Sequence, residues 1–209
     1  MEINIKEVLR YMGQGQPNDV VLNRIDQLMH PFNEMANPKV FFVEKQLIHL
    51  EGNKVKIGDV VVESKSLKRH LKNATRILLF GATLGLGIDR LIRKTSLMNM
   101  GDALILEAIA AAYLEEYADE EQEKIQNQME NEFLGSRFSP GYGDFDLKYQ
   151  VFLVDEMKKT LGLSVTSNFM IIPRKSITAV IGVVGKKPIR IDNKCKTCGL
   201  EDCTFKMKN

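Results

Sequence analysis

The chain predicts an α+β fold in which a mixed or antiparallel sheet packs with helices. Short runs rich in β-branched and aromatic residues alternate with helical patterns along its length. Two such runs, 47–51 and 54–57, flank a Gly52-Asn53 turn with alternating faces, as a hairpin does. A single strand–helix–strand pattern around Gly81 is too little for an all-parallel sheet.

Each element has its own signal. Residues 5–12 read as a short helix closed by a Gly- and Pro-containing loop ending at Pro17. Asn18 caps a helix to about Met35, with Val21, Ile25, Leu28, Met29 and Phe32 on one face. Residues 40–43 read as a strand, the 47–57 hairpin follows, and Gly58-Asp59 leads into a strand over 60–63. Ser64 or Ser66 caps a short helix carrying His70. Residues 77–80 form a short apolar strand, and a glycine-rich turn, 81–87, opens a helix over 88–95. A long helix over 102–128 contains neither Pro nor Gly; 103–113 is apolar nearly all round and belongs in the core, whereas 117–130 is dense in Glu and Gln and should be solvated. An Arg137 loop follows, then a helix over 147–161 stopped by Gly162, then strands at Val165, 169–172 and 177–183. Residues 1–185 read as one domain, and 186–209 as a basic link and Cys-containing tail.

Bulk properties exclude several classes. With 29 basic and 27 acidic side chains in 209 residues, no strong field for nucleic acid or a membrane surface is expected. No apolar run approaches the length of a membrane span, and the first residues lack a signal-peptide pattern, so a cytoplasmic location is expected. All three cysteines fall in the last 15 residues, which argues against a disulfide framework.

The most informative stretch is Arg137-Phe-Ser-Pro-Gly141-Tyr142. Pro140 fixes its own φ, Gly141 is free to take a positive one, and such a segment presents a cation and an aromatic hydroxyl together. Arg grips carboxylates through paired N–H bonds, so a small ligand bearing a carboxylate fits; a turn with an exposed, solvated Arg is the plainer alternative. About 25 residues on come Leu161-Gly162, Thr166, Phe169, Pro173, Ser176 and Thr178. Together the two segments resemble the activation domain of cobalamin-dependent methionine synthase, clearly over residues 130–185 and more loosely over 77–115. The resemblance implies an activation-domain-like fold that binds S-adenosylmethionine, whose methyl group rescues an oxidised cobalamin. It places the methionyl carboxylate on Arg137, the sulfonium end or cobalamin face near Gly141 and Tyr142, and nucleoside contacts, through backbone, at Ile181 and Gly182. The family's acidic residue near the domain's N-terminus has no counterpart in residues 1–40, and Gly143-Asp-Phe-Asp146 replaces its Pro-Ala-Cys-Pro.

Two further motifs carry chemistry of their own. Gly81-Ala-Thr-Leu-Gly85-Leu-Gly87 follows a strand and opens a helix, as a dinucleotide-binding turn does, but its spacing is not G-x-G-x-x-G, and a packing turn is the better reading. Cys195-x-x-Cys198 with Cys203 has chelate spacing; it suggests zinc or an iron–sulfur cluster with a fourth ligand from elsewhere, against a bland tail of reduced thiols. The acidic runs at 115–116 and 119–121 read as a solvated helix face.

The reading is therefore a free-standing activation module, working on a cobalamin-bearing methionine synthase or other corrinoid partner. The resemblance implies a flavodoxin or ferredoxin as electron donor. The alternative is a non-enzymatic metal- or ligand-binding regulator of a corrinoid protein.

Overall fold

The structure, a computed structural model, describes residues 3–13 and 18–185. Their elements run α1 (Ile5–Tyr11), α2 (Asp19–Met35), β1 (Lys39–His49), β2 (Lys54–Ile57), β3 (Val60–Glu63), α3 (Lys65–His70), β4 (Arg76–Thr83), α4 (Leu86–Ser96), α5 (Met100–Asn127), β5 (Phe133–Phe138), a 3₁₀ turn (Leu147–Tyr149), α6 (Gln150–Leu161), β6 (Ser164–Val165), β7 (Ile171–Ile172) and β8 (Ser176–Val184). Six strands form one antiparallel sheet in the order β3-β2-β1-β4-β8-β5, and β6 pairs with β7. The expected α+β class is what is found.

Local signals explain most boundaries. The Asn18 side chain accepts from Val21 N at 2.8 Å, which starts α2, and Ser64 accepts from Leu67 N to start α3. Gly162 takes a left-handed conformation and its N–H returns to Lys158 O at 2.8 Å, which ends α6. The sequence missed the length of β1. The polar stretch Glu44-Lys45-Gln46 stays extended because β1 pairs with β4 through Gln46 and then hands over to β2 from Leu47.

Strands β4 and β8 lie at the centre, and most of their residues are buried. One face carries Leu78, Phe80, Ala82, Ile181 and Val183 against α1, α2, α4 and α5. The opposite face carries Ile77, Leu79 and Val180 against α3, α6 and the β2–β3 hairpin. Two covered faces explain why these strands read as continuous apolar runs rather than alternating ones.

The glycine-rich turn is a packing device. β4 runs antiparallel to both its neighbours, so no parallel strand–helix–strand unit exists there. Gly81 sits under Met157 and Leu161, and a Cβ on Gly87 would run into the Met35 carbonyl oxygen. A backbone oxygen cannot swing aside as a side chain can. Gly87→Ala should therefore destabilise the protein by about 1–3 kcal/mol despite alanine's better helix propensity, read as a lower denaturation midpoint.

Candidate functional site

Arg137 lies in a strand, not in a loop as expected. It is part of β5, an edge strand whose only sheet neighbour among the described residues is β8. The pairing shifts register between Leu134 and Arg137. Residues three apart in a regular strand point to opposite faces; the bulge instead brings Arg137 onto the α5 side, where Leu134 also packs.

There the guanidinium is nearly enclosed, with 11% of its side chain exposed. Nη2 donates to Glu115 at 2.9 Å and to Asp119 at 2.7 Å, and Nη1 donates to Gln122 at 3.2 Å. The Phe80 ring lies 5.9 Å beneath it. Gln122 also donates to Gly135 O, and Gln126 bonds both Glu132 O and Leu134 N, so α5 satisfies the backbone that the bulge leaves unpaired. The acids on α5 read from sequence as a solvated face. The missed signal was the spacing of Glu115, Asp119 and Gln122, which puts all three on one side of the helix.

The Gly-Tyr segment belongs to the other side of β5. Phe138 alternates to that face, stacks on His70 at 4.7 Å and on Phe145 at 6.2 Å, and meets the Tyr142 ring edge-on at 5.7 Å. Tyr142 is 55% exposed. Gly141 has φ +94 and Gly143 φ +57, values that side chains other than glycine's tolerate poorly, and their turn is closed by Gly141 N to Phe145 O at 2.6 Å. His70 Nε2 meets Ser136 O at 2.9 Å; burial pushes its pKa below the usual value, so it is neutral at pH 7.

Asp144 fixes the loop. It accepts from Ser64 Oγ at 2.7 Å and from the backbone N–H groups of Lys65 and Ser66 at 2.9 Å. The Ser64 hydroxyl first, and then those N–H groups, hold its carboxyl well below the usual carboxylate range.

The expected site residues thus divide. Arg137 and Tyr142 approach the β5 edge from opposite faces, with Gly141 between. Ile181 pairs with Arg137 in register but its side chain is wholly buried in the α5-side core. Gly182 lies under Leu71 and Ala74 on the other face. Neither offers a side chain to solvent. Cys195, Cys198 and Cys203, the expected metal ligands, lie outside the described residues; among the described residues no group of three or more His, Cys, Asp or Glu side chains is arranged to hold a metal ion. No helix there is long and apolar enough to cross a membrane.

Residues 98–187, less than half of the chain, match the family model for the vitamin B12-dependent methionine synthase activation domain. The chain resembles that activation domain. The match spans α5, β5, the Gly141-Tyr142 turn, α6 and β8. A crystal structure of the MetH reactivation domain bound to AdoHcy shares the fold: the TM-score is 0.64 at 15% identity, over 86% of this chain and 73% of that one. No curated protein gives a significant match.

The tie from Asp144 makes a pH prediction. Because its folded pKa is depressed, its contribution is present above the unfolded value, about 3.9, and is lost as pH falls towards the folded value. Wild type should lose more stability than Asp144→Asn between about pH 5 and pH 2, seen as converging urea midpoints at acid pH.

Proposed function

We propose that the chain binds S-adenosylmethionine along the β5 edge and presents its methyl group to a cobalamin carried by a partner, reactivating a methionine synthase or another corrinoid methyltransferase. One observation carries this reading: the activation-domain match takes in the whole of the 137–142 motif, and that motif begins at the end of the edge strand β5, with Arg137 on one face and the aromatic Phe138 and the Tyr142 of the following turn on the other. The AdoHcy in the reactivation domain of the same fold supports an adenosyl sulfur ligand here.

The chemistry asks little of protein acids or bases. The S–CH₃ bond breaks with its electron pair passing to sulfur, which leaves as a neutral thioether. Cobalamin, reduced by one electron from a flavodoxin or ferredoxin, is the methyl acceptor. The chain's own contribution is to bind, orient and exclude water. Arg137 holds the carboxylate end, the Gly141-Tyr142 turn shapes the sulfonium end, and the Ile181–Gly182 backbone backs the β5 edge. Cys195, Cys198 and Cys203 would act as thiolates on a cluster or zinc; a brown anaerobic preparation would mark an iron–sulfur cluster and a redox role.

Calorimetric titration with S-adenosylmethionine tests the reading, alone and with a cob(II)alamin-loaded partner. Arg137→Ala should weaken binding by about 2 kcal/mol, roughly thirtyfold, through loss of a charge-assisted contact. Equal affinity of variant and wild type would remove Arg137 from the site.

A further inference from the structure

Arg137 meets any ligand with its outer nitrogen already engaged. Nη2 carries two N–H bonds, and they are directed at Glu115 and Asp119. A carboxylate can grip a guanidinium bidentately only along an edge that includes Nη2, because the two paired edges are Nη1–Nη2 and Nε–Nη2. A carboxylate ligand that binds in this paired way must therefore displace one of the two acids.

Displacement has an electrostatic consequence. One guanidinium between two carboxylates leaves a local charge of −1, and a third carboxylate would make it −2. Like charges this close disfavour one another unless a new cation joins them. The displaced acid needs a positive group, and the ligand has to bring it.

We propose that Arg137, Glu115 and Asp119 form a receptor for an α-amino-acid head, working by exchange: the ligand carboxylate takes the Nη2 position held by Asp119, and Asp119 turns to the ligand ammonium. The inference rests on the reading of Arg137 as a ligand-binding residue and deepens it by supplying the acidic group that residues 1–40 do not. Asp119 is the exchanging member because it is the more exposed acid, 67% against 45% for Glu115, so turning it desolvates less and breaks fewer packing contacts. Glu115 stays on Arg137 and keeps the guanidinium aimed. With a complete head the exchange turns two ion pairs into three, whereas a ligand lacking either half of the head leaves the number at two and gains nothing from it.

A cycle of protein and ligand changes tests this. The ligands are S-adenosylhomocysteine and its analogue with the α-amino group replaced by hydrogen. The proteins are wild type, Asp119→Asn, and Glu123→Gln as a control for the charge of the exposed α5 surface. Wild type should prefer the amino ligand by about tenfold or more, the worth of a charge-assisted contact. Asp119→Asn should reduce that preference to about twofold or less, and Glu123→Gln should leave it unchanged. An undiminished preference in Asp119→Asn would overturn the exchange. So would equal tightening of both ligands, which would make Asp119 a mere internal competitor. If wild type binds neither ligand, the reading of Arg137 itself falls. Because Asp119 is exposed, folding of the variant is not at stake, and Asp119→Ser serves as a second form of the same deletion.

Discussion

Seven of the eight residues of β4 and six of the nine of β8 are buried, so neither strand has a solvent face and each must be covered on both sides by apolar groups. α5 with α1, α2 and α4 covers one side, and α3 with α6 covers the other. β5 is laid against β8 at the margin of this arrangement, with its other edge unpaired among the described residues. It is there that backbone, a charged side chain and solvent meet, and the candidate site follows from that position.

Enclosing a guanidinium beside such a core needs compensation, because an unpaired buried charge is costly. The structure supplies it from α5: two carboxylates and an amide on Arg137, and two glutamine side chains on the irregular backbone that turns Arg137 inward. The second half of α5 is therefore not merely a solubilising surface. It neutralises the site and satisfies the bulge at once.

The sequence was legible where the cause of structure is local. Asn18, Ser64 and Gly162 announced helix ends by their own hydrogen-bonding or conformational preferences, and the apolar 103–113 stretch announced burial. It was opaque where the cause is distant. β1 runs past Val43 through polar residues only because β4 waits beside it. Arg137 lies in a strand because β8 pairs with it, and its facing depends on a bulge that no composition signals. The acids at 115 and 119 gained a role from a residue about 20 positions later across a strand–helix contact. The spacing of the glycines at 81–87 already pointed to a packing turn, but what they make room for, the Met157 side chain at Gly81 and the Met35 carbonyl at Gly87, comes from distant segments.

The short helix α3 brackets the motif from both ends. Its first turn is fastened to Asp144, beyond the Gly141-Tyr142 turn, and its last residue, His70, reaches Ser136 and stacks on Phe138. α3 and the central strand β4 both precede the 98–187 stretch that matches the activation-domain family. A graft of that stretch alone into another scaffold would carry the recognisable letters without the parts that shape them. The transplantable unit has to begin at or before Ser64.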